Sequence, residues 1–232
     1  LFLDNYRQES KPNGEYSDAA KKAIDNAVSK GALIINYTGH GGEAGWTQEA
    51  ILDVFTIEEW NNQPRLPLFV TATCEFGRHD DPRRDSAGEK TILNNGGGAI
   101  ALVTTSRPVN SSTNFQLNKS FYNAIFSQSS GNYLTLGEIF KLTKNNSLQG
   151  SANRNFSLLG DPSMRLVYPK YSMSITEVNG TPISEGYDTL RAMNVASMKG
   201  IVTNQNNQLV SDFNGTAYLE VYDKRSVKET LG

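Results

Sequence analysis

The chain has 232 residues, with 22 Lys plus Arg against 24 Asp plus Glu and a formal net charge of −2. That near-neutrality excludes a nucleic-acid partner, which needs a basic patch to neutralise phosphates; one Cys and two His are too few for a disulfide framework or a zinc finger. No apolar run approaches the ~18 residues of a transmembrane segment, and Leu1-Phe2-Leu3-Asp4 has neither the basic start nor the apolar core of an export signal.

Leu1-Phe2-Leu3 reads as a strand already under way. Ser17 to Lys30 carries Ala20, Ile24 and Val28 at a spacing of four, which predicts a helix with Ser17 at its N-cap and Gly31 as its stop. Ala32 to Tyr37 is a short apolar run between glycines, the pattern of a buried strand. Gln48 to Asn61 holds one or two short helices, and Leu68 to Thr73 is a second buried strand. Ser86 to Asn94 reads as a helix, followed by a third strand over Gly98 to Thr104. Thr113 to Ser127 places Phe115, Asn118, Phe121, Tyr122 and Ile125 at helical spacing. Leu134 to Asn145 does the same with Leu136, Ile139, Phe140 and Thr143. Strands that alternate with helices and are apolar on both faces predict an α/β fold, a mostly parallel sheet with flanking helices.

After Pro169 the period changes. Tyr171 to Ile175, Val195 to Thr203 and Thr216 to Tyr222 alternate as strands do, Asn179-Gly180 marks a turn, and no helix signal follows. This is the pattern of an all-β sandwich, but only about 63 residues remain where a sandwich uses ~100. The expectation is two domains, 1–168 and 169–232, both incomplete.

The one Cys and one of the two His fall in matching places. His40 follows the Ala32–Tyr37 strand, and Cys74 follows the Leu68–Thr73 strand. In an open parallel sheet, ligands and reactive groups gather beyond the C-terminal strand ends. If the two strands are neighbours, ~5 Å apart, an imidazole can reach a thiol. A free thiol with pKa near ~8.5 needs such a neighbour to become a nucleophile. Glycines around His40 leave room for a substrate backbone, and the N–H groups of Gly41 and Cys74 can hold an oxyanion. Taken alone, a Cys at a strand end is more often a small buried hydrophobe, and a His in a glycine turn is more often structural. Their coincidence at successive strand ends puts acyl transfer on an equal footing with the structural reading.

Two segments, Tyr37-Thr-Gly-His-Gly-Gly-Glu-Ala-Gly-Trp46 and Pro67-Leu-Phe-Val-Thr-Ala-Thr-Cys-Glu-Phe-Gly77, resemble the His and Cys motifs of the gingipain-type cysteine peptidases. Three more agree in order: Gly97 to Ser106, Leu136-Gly-Glu138, and Asn155 to Arg165 with its Gly160-Asp161-Pro162. The resemblance implies a caspase-like fold followed by an immunoglobulin-like module. It implies catalytic His40 and Cys74, and an oxyanion hole from Gly41 and Cys74. It also implies a pocket wall at Thr104 to Pro108, hence substrate contacts from Thr105, Ser106 and Arg107. Trp46 is either core or cleft wall. Asp4 and Glu15 are weak candidates for the acid that orients His40, which in the family comes from upstream, so the chain by itself is expected to fall short of a complete enzyme. Arg107 argues against a cationic side chain in the pocket.

Within the family, the Thr71 to Glu89 region looks closest to the cell-surface sortases of type IX secretion in the Bacteroidetes. That implies an endopeptidase that removes C-terminal signal domains from exported proteins through a Cys thioester, with water or an amine as acceptor. It implies an extracellular site at the outer-membrane surface of a Gram-negative bacterium, with outer-membrane secretion partners. A secreted protease without a secretion role and a non-catalytic binding module are the alternatives. No cofactor is required. A metal site at His79-Asp80-Asp81 with Asp85 is disfavoured because Arg78, Arg83 and Arg84 intervene, although the family's use of calcium leaves room for a structural ion held by carboxylates and carbonyls. Gly96-Gly97-Gly98 precedes a strand rather than a helix, so it reads as a turn and not a phosphate loop.

Overall fold

The computed structural model describes every residue except 13, 187–189, 192, 220, 223–226 and 228–232. The chain divides into two compact units, Leu1–Leu166 and, from Val167 onward, a second.

The first unit opens on a single 3-10 turn, Leu3–Asn5, so the strand expected at Leu1 is replaced by a turn with Leu1 and Phe2 exposed. A small hairpin follows, β1 (Glu9–Lys11) with β2 (Gly14–Tyr16). Helix α1 (Asp18–Lys30) buries Ala20, Ile24 and Val28, the stripe set by the spacing of four. It stops at Gly31, where φ is 89° and the N–H reaches the carbonyls of Ala27 and Val28. Ser17 occupies the N-cap position without capping: its hydroxyl donates to the Arg7 carbonyl at 2.9 Å.

Strand β3 (Ile34–Thr38) leads into a small antiparallel sheet of β4 (Gly41–Gly42), β5 (Gly45–Trp46) and β6 (Leu52–Asp53). Helix α2 (Val54–Glu59) is capped by the Asp53 carboxylate. Strand β7 (Leu68–Ala72) is buried at every position. Helix α3 (Ala87–Leu93) starts on a reciprocal capping box between Ser86 and Glu89. Strand β8 (Ala101–Thr105) is again wholly buried. Helix α4 (Ser111–Ile125), the short hairpin β9 (Gln128–Ser129) and β10 (Asn132–Tyr133), helix α5 (Leu136–Asn145), the turn α6 (Ser151–Arg154) and β11 (Phe156–Gly160) complete the unit. The main sheet has the order β11-β8-β7-β3. β3, β7 and β8 run parallel, and β11 is antiparallel to β8.

Three further expectations change. β3 is half-buried rather than buried, because it is the edge strand; Asn36 and Thr38 meet Asn118 and Tyr122 of α4 through side-chain hydrogen bonds. Helix α4 buries Asn114, Leu117, Phe121, Ala124 and Ile125, while Phe115 is 68% exposed. Its apolar stripe is therefore centred one position away from the expected one. The Asn155–Arg165 segment contributes β11, a strand that periodicity did not signal. Two of the sequence motifs meet: the N–H groups of Leu136 and Gly137 donate to the carbonyls of Met164 and Pro162, both at 2.8 Å.

The second unit is one three-stranded antiparallel sheet, in which β12 (Tyr171–Val178) lies between β13 (Thr181–Pro182) and β14 (Met198–Asn204). Asn179 and Gly180, both at positive φ, form the two-residue hairpin turn. A 3-10 turn at Ile183–Glu185 is a helical element that the sequence did not signal. The described residues of Thr216 to Tyr222 form no strand, and Glu220 lies outside the described residues. A two-sheet immunoglobulin-like sandwich is thus not present among the described residues. Nor do they include a helix long and apolar enough to cross a membrane.

Candidate active site

Parallel pairing of β3 with β7 fixes the register Thr38↔Ala72. His40 and Cys74 each stand two residues beyond that pair, so both segments leave the same end of the sheet. The residues next to them are in close contact. A Cβ on Gly41 would lie 2.6 Å from Thr73 Oγ1, so only glycine lets the His loop rest on the Cys segment.

Each segment is braced. The Tyr37 hydroxyl donates to the His40 carbonyl at 2.6 Å, and the Thr47 N–H donates to the same oxygen at 2.9 Å. The second bond makes Gly41–Trp46 the non-hydrogen-bonded kind of antiparallel pair, which leaves the Gly41 N–H outside the ladder. Burial pushes the Tyr37 phenol well above its ordinary value, with the Glu49 charge adding to it, so the phenol stays a donor. The Tyr37 ring stacks on Trp46 at 4.2 Å and 6°. Across the site, Thr105 Oγ1 donates to the Thr73 carbonyl, tying β8 to the residue before Cys74. Asn114 Nδ2 of α4 donates to the Ala72 carbonyl at 2.9 Å. Glu75 takes φ +49° directly after Cys74, a left-handed turn that a non-glycine residue adopts only when its surroundings hold it there. The Glu43 carboxylate supplies part of that hold, pairing with Arg78 and, at 2.8 Å, with Arg84.

Cys74 is half-buried and His40 exposed. The thiol donates to the Val109 carbonyl at 3.3 Å. Trp46 is 2% exposed and belongs to the core. It also floors a groove of about 620 Å³ lined by Leu3, Ile35, His40, Glu49 and Ile51. Thr105, expected in a pocket wall, is fully buried because its hydroxyl is used against Thr73. Ser106 is half-buried, and its N–H donates to the Asn155 carbonyl at 2.9 Å. Arg107 is exposed and gives its guanidinium to both oxygens of Asp80. Asp4 and Glu15 are exposed, on the first 3-10 turn and on β2. Sequence reasoning missed Thr73, Glu43, Val109 and Asn114. Only Glu43 and Thr73 sit inside the quoted motifs, and nothing in their local pattern marks them.

The charged loop after Cys74 is compensated. Asp80 pairs with Arg107, Asp81 with Arg83 and Arg84, and Asp85 with Lys90. Carboxylates already committed to guanidinium and ammonium groups do not fit a calcium site.

The model of peptidase family C25 matches residues 1–167. The chain belongs to that family. Its fold is similar to that of the Arg specific cysteine proteinase gingipain R, with 18% identity and a TM-score of 0.56 over 67% of this chain and 39% of that one. It is also similar to the complex of Porphyromonas gingivalis RgpB pro- and mature domains, with 20% identity and a TM-score of 0.54 over 67% of this chain and 40% of that one. A third solved structure, described as a protease, gives 17% identity and a TM-score of 0.52 over 79% of this chain and 54% of the other. The C25 chain thus spans about two-fifths of the first of these relatives, and at these identities the likeness is one of fold. No curated protein matches it in sequence.

Proposed function

We propose that this C25 chain carries the nucleophile and the general acid–base of a cysteine endopeptidase. The carrying observation is the register that puts His40 and Cys74 equally far beyond the Thr38↔Ala72 pair. In this reading His40 takes the Cys74 proton, and the sulfur attacks the scissile carbonyl carbon. The oxyanion is held by the N–H groups of Gly41 and Cys74. His40 then protonates the leaving amine, so the C–N bond breaks and a thioester remains. Water, or a second amine in a sortase, opens the thioester and returns the proton to the thiol.

The resemblance to PorU, the sortase of type IX secretion, extends the proposal. The substrates are exported proteins carrying C-terminal signal domains. The site of action is the outer-membrane surface of a Gram-negative bacterium, alongside secretion partners there. Substrate contact comes from the Ser106–Arg107 turn, with Trp46 as the floor of the groove beside His40.

Cys74→Ala in the full-length protein tests the first part. Activity on peptides should vanish while the Tm stays within a few degrees. Full activity without the thiol would overturn the reading. Deleting the protein tests the second part, since uncleaved C-terminal signals should then accumulate on many exported proteins. Normal processing would leave a peptidase without a secretion role.

A further inference from the structure

The Cys74 thiol has one hydrogen to donate, and it is spent on the Val109 carbonyl at 3.3 Å. A thiol in that bond is not handing its proton to an imidazole. Val109 lies in the turn between β8 and α4, which is fastened at three points. The Ser106 N–H donates to the Asn155 carbonyl at 2.9 Å. The Asn110 side chain caps α4, accepting from the Thr113 N–H at 3.0 Å. Between them, Arg107 reaches across to Asp80, in the loop that follows Cys74, through two parallel hydrogen bonds. Bidentate pairing of this kind fixes direction as well as distance. The Arg107 guanidinium also donates to the Ser106 carbonyl at 2.6 Å, so the same side chain stiffens the turn that bears Val109.

We infer that Asp80 and Arg107 are positioning residues for Cys74: their ion pair holds the 106–110 turn so that the Val109 carbonyl keeps the thiol in a resting, proton-bound state. Catalysis then requires the sulfur to leave that carbonyl, and a substrate pressing on the Arg107 turn is the event that frees it. This inference rests on Cys74 as nucleophile, but its test does not.

Alkylation by iodoacetamide, read by mass spectrometry on the peptide that carries Cys74, the one Cys of these 232 residues, follows this sulfur, with Cys74→Ser as the blank. In the full-length protein at pH 7, the double variant Asp80→Asn/Arg107→Gln removes both charges and leaves the net charge unchanged. Alkylation should quicken about three- to tenfold, the range expected for releasing one modest hydrogen bond. The swapped pair Asp80→Arg/Arg107→Asp should bring the rate back towards wild type, which a general loosening of the loop would not do. A second arm needs no variant. Both partners are exposed, so ~1 M salt, with a screening length of ~3 Å, should raise the wild-type rate and leave the double variant unmoved. An unchanged rate in the double variant, or a wild-type rate indifferent to salt, overturns the inference. If peptidase activity survives Cys74→Ala, the functional reading fails while the alkylation result still stands or falls by itself.

Discussion

Gly41 and Thr73 lie so close that a Cβ on the glycine would stand 2.6 Å from the threonine Oγ1 and 3.0 Å from its Cγ2. Each is the immediate neighbour of a proposed catalytic residue. Their contact couples the two strand ends at the point where a shift would be most costly.

Gly41→Ala should therefore move the His40 loop away from the Cys74 segment. A misplacement approaching ~1 Å is worth about a hundredfold in rate, so kcat/KM should fall by about that much. Adding Thr73→Ala removes the two nearest atoms, leaves the Gly45 carbonyl oxygen at 3.1 Å, and should restore part of the loss, a non-additivity that a double-mutant cycle reads directly. Simple additivity would mean that the contact does not order the site.

Tyr37→Phe deletes one of two hydrogen bonds into the His40 carbonyl and keeps the ring that stacks on Trp46. One net hydrogen bond is worth about 1 kcal/mol. The expected result is a fall of about fivefold in kcat/KM, with the Tm lowered by no more than ~2–4 °C. A loss as large as that of Cys74→Ala would assign the phenol a role beyond bracing.

Glu43→Gln keeps the shape of the side chain that joins the His loop to Arg78 and Arg84 but removes its charge. Arg78, whose proton is held more firmly than usual by its hydrogen bond to Glu43 and by that charge, then keeps only the Glu75 carboxylate, at 3.4 Å, as its ion-pair partner. Activity should fall and the Tm drop by a few degrees. High salt should narrow the gap, because exposed Arg84 is open to screening. A gap insensitive to salt would point to packing as the cause.

Asp53 caps α2 through the Thr56 N–H at 2.8 Å and pairs with Lys21 of α1 at 3.0 Å. Burial works against its charge, but the bonds from Thr56 and Lys21 outweigh it and hold the carboxyl below its usual value. A lowered folded value means stability present above the ordinary carboxylate range and lost as pH falls through it. Asp53→Ala should cost about 1–2 kcal/mol at pH 7, and the difference in urea midpoint should shrink below about pH 4. An undiminished difference at pH 3 would show that the cap acts without its charge.

Local pattern determined a good deal of this protein. The spacing of Ala20, Ile24 and Val28 set the buried face of α1. The unbroken apolar runs set β7 and β8 as central strands. Asn179-Gly180 set its hairpin, and the strand-end placement of His40 and Cys74 singled out the candidate site. Each is a property of a few adjacent residues, encoded by period, cap or turn chemistry. Tertiary structure alone decided the rest: β3 as the edge strand, the face that α4 buries, Thr105 turned inward onto Thr73, and the Cys74 thiol bonded to a carbonyl 35 residues away. Those outcomes depend on which strands lie side by side and in what register. Pairing between distant residues leaves no mark in a local window, so only the assembled sheet shows that the Cys74 thiol meets the Val109 carbonyl and that Arg107 meets Asp80.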